Sequence, residues 1–179
     1  MSQSEVMLRP ITEADLPDYV RWLNDPEVTR YLGRFKPLGR LAERQWFEHA
    51  AAAKDSILWA VTDEAGRHIG GTGLHQIHWV SRSATIGLLI GDKEVWGRGY
   101  GKDVLRTATR WAFEELGLHR IESECFAENV ASARCHEAAG YLRMGTARKR
   151  YWRGGTWHDS LLFEILDEDW FGKKAGGPA

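Results

Sequence analysis

The stretch Ile90-Gly91-Asp92-Lys93-Glu94-Val95-Trp96-Gly97-Arg98-Gly99-Tyr100-Gly101-Lys102 constrains this chain more than any other. It joins an apolar run of strand character to a long amphipathic pattern, and its glycines leave the main chain open where a helix should begin. The first N–H groups of a helix have no partner inside it, and the macrodipole adds roughly half a positive charge there. A phosphate or pyrophosphate suits that geometry. The spacing argues against two familiar nucleotide loops. In a Walker loop a Ser or Thr follows Gly-Lys, but here Asp103 follows Gly101-Lys102, and Trp96 stands where the first glycine would be. The dinucleotide pattern G-x-G-x-x-G fails at Lys102 in one frame and at Val104 in the other. What remains is G-x-G-x-G between a strand and a helix.

Composition narrows the class. At 179 residues the chain has the length of one domain with a sizeable core. A formal net charge of −1 supplies no global field toward nucleic acid or a membrane. The two cysteines, Cys125 and Cys135, have no metal or redox spacing and suit a reducing cytoplasm. No signal peptide is visible among the first residues, and no apolar run approaches the roughly 20 residues that span a bilayer. Nine tryptophans bury large area, and some are expected to line a groove.

Periodicity gives the element order. A first strand is expected at Val6–Arg9. Thr12 followed by Asp15 signals a helix start, with Leu16, Tyr19, Val20 and Leu23 on its apolar face. Asn24-Asp25-Pro26 breaks that helix; a short second helix is expected at Pro26–Tyr31, a loop from Gly33 to Gly39 and a helix at Leu41–Ala53. Strands follow at Ile57–Thr62, His68–Val80 and Ser83–Ile90. Gly99–Leu116 reads as the clearest helix, with Tyr100, Val104, Ala108, Trp111, Ala112 and Leu116 on one face. Then come a strand at His119–Phe126, a helix at Val130–Ala139 stopped by Gly140, and strands at Tyr141–Trp152 and Trp157–Ile165. The polar, glycine-rich residues 172–179 read as a flexible tail. This order implies an α+β fold with one mostly antiparallel sheet, the unit at residues 83–126 supplying a parallel or splayed pair.

Three separated pieces resemble the GNAT superfamily of N-acetyltransferases, in its branch with the RimJ/RimL ribosomal-protein N-terminal acetyltransferases. They are Ile86–Lys93 running into Trp96–Gly101; Leu118–Ile121, Asn129–Ser132 and Ala139–Tyr141; and Gly145–Arg153 with Trp157-His158-Asp159 and Asp169-Trp170. Trp22–Val28 adds a fourth, and the likeness spans roughly residues 6–171, within a single domain taken as 1–171. The resemblance implies a splayed, mixed, mostly antiparallel sheet flanked by helices. Acetyl-coenzyme A would lie in the splay, with its pyrophosphate on the amides of Gly97, Arg98, Gly99, Tyr100, Gly101 and Lys102. Trp96 would flank it, and the main chain of Leu88, Leu89 and Ile90 would pair with the pantetheine arm. One such N–H would polarise the thioester carbonyl.

The same resemblance assigns Asn129 a contact to the cofactor arm, although a residue of that type before a helix is equally an N-cap. Ser132 would approach the cofactor sulfur. His136 stands where many relatives carry a tyrosine that protonates the departing thiolate, and an imidazole can donate a proton near neutral pH. Thr85 stands where relatives often carry a glutamate facing the acceptor amine, and threonine is no useful base. Glu122, Glu124 or a water chain are the substitutes open to the chain. Asp159 is either an attractor for a cationic acceptor or a hairpin carboxylate. Strand alternation separates His75 from His78, so no metal pair is expected and the metal set is empty.

The reaction implied is direct transfer of acetyl to a primary amine. At pH 7 an α-amine of pKa about 8 costs about 1.4 kcal/mol to deprotonate, against about 4.6 for a lysine-type amine. Lack of a strong strand base therefore favours a peptide or protein N-terminus as acceptor. A polyamine, amino sugar or aminoglycoside is the alternative, and a non-catalytic acyl-coenzyme A sensor is the rival from another class. Nucleic acid and membrane partners are not expected; a homodimer is permitted.

Overall fold

The computed structural model describes residues 6–33 and 36–175. Strand β1 (Met7–Pro10) is followed by a single 3-10 turn at Glu13–Asp15 and helix α1 (Leu16–Leu23). Asp15 takes the Thr12 main-chain N–H at 2.8 Å and the Arg9 guanidinium at 2.8 and 2.7 Å, so the start signal read in Thr12 and Asp15 also ties the turn to β1. Residues 26–31 form no helix. They make successive turns, with Thr29 N–H to Asp25 O at 2.9 Å and Leu32 N–H to Thr29 O at 3.0 Å, because Pro26 and Thr29 give too short a run to propagate. The loop expected from Gly33 to Gly39 lies partly outside the described residues. Helix α2 (Arg40–Ala52) follows.

Strands β2 (Ile57–Thr62), β3 (His68–His78) and β4 (Ser83–Ile90) form an antiparallel meander with β1. Helix α3 (Tyr100–Glu114) then crosses the sheet to β5 (Arg120–Phe126). After α4 (Val130–Ala139) come β6 (Leu142–Arg153), β7 (Thr156–Leu166) and α5 (Asp167–Ala175). Helix α5 was not foreseen, and it extends into the stretch read as a tail; residues 176–179 lie outside the described residues. Its first turn carries Asp167, Glu168 and Asp169, which suit the positive end of a helix.

The seven strands run in the order β1-β2-β3-β4-β5-β7-β6. Every pairing is antiparallel except β4 with β5, which is parallel and confined to Ser83↔Arg120, Ala84↔Ile121 and Thr85↔Glu122. Beyond Thr85 the two strands separate, so the expected splay is real and opens at Ile86.

The main core lies between the sheet and α3. Leu74, Leu105, Ala108, Ile121, Phe163 and Ile165 are buried there, and each Leu, Ile or Phe side chain withdrawn from water stabilises the fold by about 1.5–3 kcal/mol. Tyr19, Trp22 and Val28 form a separate cluster on the other face, which seats α1 against β3 and β4.

Candidate active site

The loop from β4 to α3 has the conformation its glycines require. Gly97 and Gly99 adopt φ of 77° and 93°, a region L residues rarely enter, and Gly99 caps α3. A Cβ on Gly97 would meet nothing within 4 Å, so the loop is open on that side. Not every amide is available. Trp96, Arg98 and Lys102 donate to Lys93, Val95 and Gly99 carbonyls, at 3.2, 3.3 and 3.1 Å. The amides of Gly97, Gly99, Tyr100 and Gly101 donate to no main-chain carbonyl among the described residues. Four N–H groups thus stand without a main-chain acceptor among the described residues, flanked by Arg98 and Lys102. A charged acceptor on each is worth roughly 1.5–3 kcal/mol. Lys102 has an ion pair with Asp103 at 3.3 Å, and its main-chain N–H also reaches the Cys135 thiol. Gly101 keeps α3 and α4 close: a Cβ there would lie 3.0 Å from the Cys135 sulfur.

The open edge of β4 is the second part of the site. Ser123 Oγ lies 3.1 Å from the Ile86 carbonyl and Trp96 Nε1 donates to the Ile90 carbonyl at 2.8 Å, so both carbonyls face away from β3. Main-chain groups alternate between the two edges of a strand. Leu88 therefore also faces the splay, while the Leu89 carbonyl lies against Gly70 of β3. Leu89, expected to offer its main chain to the pantetheine arm, is paired with Gly71 of β3. Both Leu88 and Leu89 line a cavity on the α1–α2 side of the sheet, and the Ile90 carbonyl already serves Trp96.

Asn129 is an N-cap: its Oδ1 accepts the Ser132 N–H at 3.1 Å. The Ser132 hydroxyl meets the Cys125 thiol at the end of β5. Burial raises both thiol pKa values, as befits small interior residues rather than nucleophiles.

His136 is not at the cleft surface. The ring is 3 % exposed, stacked on Phe163 with centroids 4.8 Å apart and edge-on to Tyr141. Nδ1 is 2.8 Å from the Ser132 carbonyl and Nε2 is 2.8 Å from Ser123 Oγ. Burial lowers its pKa more than the Ser132 carbonyl raises it, so the ring is neutral and donates from Nδ1, while the one Ser123 hydroxyl proton is shared between Nε2 and the Ile86 carbonyl. With both nitrogens engaged inside the core, the ring has no proton to offer a thiolate in the splay. The residue, expected as an acid, ties α4 to β5.

The proposed bases on β5 are also taken. Glu122 pairs with Arg120 at 2.8 Å. Burial pushes the Glu124 carboxyl up, but bonds from Tyr151, Ser160 and Arg150 outweigh it and hold the group below the usual carboxylate range. Asp159 accepts the main-chain N–H of Lys149 at 2.8 Å and so shapes the bulge in β6, where Lys149 has φ of 51°. Thr85 Oγ1 reaches Gln76 at 3.4 Å.

A cavity of about 310 Å³ lies on the α1–α2 side of the sheet. Tyr19 and Leu23 of α1, Glu43 and Trp46 of α2, and His75, Gly87 and Leu89 of the sheet line it. Glu43 is fully buried. Sequence reasoning missed this cavity, because its walls, from Ile11 to Leu89, come from residues up to 78 positions apart. The readable signal was Gly73 and Gly87, paired across β3 and β4, with His75 and Leu89 on the same face by alternation.

Among the described residues no group of three His, Cys, Asp or Glu side chains is arranged to hold a metal, and no helix is long and apolar enough to cross a membrane.

Comparison with known proteins agrees with this geometry. The family model described as "Acetyltransferase (GNAT) domain" matches residues 5–142. YoaA of Bacillus subtilis, named an uncharacterized N-acetyltransferase, is 28 % identical over 170 residues, 93 % of this chain and 96 % of that one. The aminoglycoside N(6')-acetyltransferase type 1 of Klebsiella pneumoniae is 24 % identical over 156 residues, 81 % and 78 % of the two chains. The crystal structure of spermidine N-acetyltransferase from Vibrio cholerae in complex with CoA and spermine superposes with a TM-score of 0.87 at 20 % identity, covering 93 % of this chain and 98 % of that one, a likeness of fold. The chain belongs to the GNAT acetyltransferase family and is an acetyl-coenzyme A-dependent N-acetyltransferase.

Proposed function

We propose that the chain acetylates a primary amine carried on a mainly apolar body about one residue in size, the N-terminal residue of a peptide or protein being the favoured acceptor. The observation that carries this reading is the cavity of about 310 Å³, which backs onto β4 where its far edge stands open and whose wall residues are largely apolar. The diphosphate of the donor would rest on the amides of Gly97, Gly99, Tyr100 and Gly101, beside Arg98 and Lys102. Its pantetheine arm would run along Leu88 and Ile90, with the Leu88 N–H polarising the thioester carbonyl. Asn129 would fix the first turn of α4 next to that arm.

The acceptor nitrogen would approach from the cavity side. Its lone pair forms the C–N bond as the C–S bond breaks, and the electron pair leaves on sulfur. A thiol of pKa roughly 8.5 is a good leaving group near neutrality, so a hydrogen bond from the Ser132 hydroxyl, swung from the Cys125 thiol, suffices to steady the sulfur while a proton from the acceptor nitrogen reaches it. His136 holds the backbone that carries Ser132. Holding amine and thioester in one site supplies much of the acceleration.

A free small-molecule amine is the second reading, favoured by the superposition on a spermidine N-acetyltransferase. Thiol release from acetyl-coenzyme A separates the two. Peptides with a free apolar N-terminal residue should outpace spermidine, amino sugars and the same peptides blocked at the α-amine. Preference for spermidine would overturn the favoured acceptor. Coenzyme A binding without turnover across the whole panel would favour a sensor.

A further inference from the structure

The geometry points to His75 as the group that takes the proton of the acceptor amine, an inference that rests on the N-acetyltransferase reading above. Its imidazole borders the acceptor cavity. Nε2 lies over the paired glycines Gly73 and Gly87, 3.2 and 3.6 Å from where their Cβ atoms would be. Two residues without side chains thus clear the floor of the cavity for this ring. Thr85 is its partner across the strands, so no carboxylate from β4 competes for the place.

His75 and His136 differ in what surrounds them. Both nitrogens of His136 are consumed by the core. The His75 ring is half-buried and makes no hydrogen bond to another described residue. Burial lowers its pKa, and the field of Asp55 opposes the shift only in part. The ring is therefore neutral and able to accept at pH 7. The other titratable groups facing the cavity are Tyr19 from α1 and Glu43 from α2; β2 and β4 contribute none.

The acceptor arrives as an ammonium with two protons to lose. One N–H bond breaks and its proton goes to His75 Nε2, forming an imidazolium. The freed lone pair bonds to the thioester carbon. A second nitrogen proton ends on the departing sulfur, and the imidazolium returns its own to solvent. Donor, acceptor and water supply every atom.

The test is amine-dependent thiol release by the unaltered enzyme and His75→Gln, from about pH 5 to 9, with coenzyme A binding measured by calorimetry on both. General base catalysis of this kind is worth about 10²–10⁴-fold. The expected result is a fall in kcat of about 100-fold or more, with the heat of coenzyme A binding kept, the acid limb of the profile gone, and partial rescue by added imidazole. Turnover within about threefold, with the acid limb intact, would overturn the role of His75 while the transferase reading stood. No thiol release by the unaltered enzyme with any amine would overturn the transferase reading and this inference together. Asp55→Asn covers the case in which His75→Gln does not fold. Asp55 is exposed, and removing its charge should move the acid limb to lower pH. An unmoved limb would overturn the assignment.

Discussion

The indole N–H of Trp96 is bonded at 2.8 Å to the carbonyl of Ile90, the last residue of β4. This one bond closes the loop that carries Gly97 and Gly99 onto the open edge of the strand. The indole is otherwise 41 % exposed, so its worth is local. Trp96→Phe keeps the ring and removes the donor. Loss of one such bond is worth about 1 kcal/mol, so coenzyme A affinity by calorimetry should weaken about fivefold, with little change in melting temperature. An unchanged affinity would make the strap irrelevant to the loop.

Gly91 follows β4 directly under the Trp22 ring, and a Cβ there would overlap the indole. Gly91→Ala must push α1 off the sheet or shift the strand end. Overpacking of this kind costs about 1–3 kcal/mol, read as a lower urea midpoint with an unchanged slope.

His75 and His136 both have pKa values lowered by burial. The unfolded chain, with histidines near pKa 6.5, then binds more protons than the folded one below about pH 6.5. Stability contributed by the neutral rings is present above that pH and is lost as pH falls through the unfolded value. The contribution of these two rings to unfolding free energy should decline between about pH 7 and 5, against an opposing one from His158, whose pKa Glu128 raises. His136→Phe should flatten that slope while costing about 1–3 kcal/mol at pH 8, because Ser123 and the Ser132 carbonyl lose their partner.

Asp15 behaves in the opposite sense. Burial pushes its carboxyl up, but bonds from Arg9 and Thr12 outweigh this and hold it at about 2. A carboxylate with a depressed folded pKa contributes stability above its unfolded pKa of about 3.9, lost as pH falls toward 2. Its side chain is only 5 % exposed, so Asp15→Asn should cost about 2 kcal/mol at pH 7 and almost nothing near pH 2, measured by denaturant titration.

The sequence was most legible where a local pattern decides the outcome. The strands at Ile57–Thr62 and Ser83–Ile90 and the helix at Val130–Ala139 have the bounds their periodicity implies, and the glycines ahead of α3 adopt the positive φ their spacing requires. It was least legible where partners are distant in the chain. Nothing local to His136 shows that Phe163 and Ser123 will enclose it. The direction of the Leu89 main chain depends on which edge of β4 pairs, a property of the whole sheet. His75 alone says little; only Gly87, twelve residues on and paired opposite Gly73, reveals the space beside it.

Four main-chain amides of the α3 entrance are proposed to grip a diphosphate. Calorimetry on the folded protein with coenzyme A, and with pantetheine, which lacks the diphosphate, tests it directly. Clear heat is expected with coenzyme A and binding weaker by about 100-fold or more with pantetheine, since two charged contacts alone supply about 3 kcal/mol. No heat with coenzyme A, or equal affinity for the two, would contradict it.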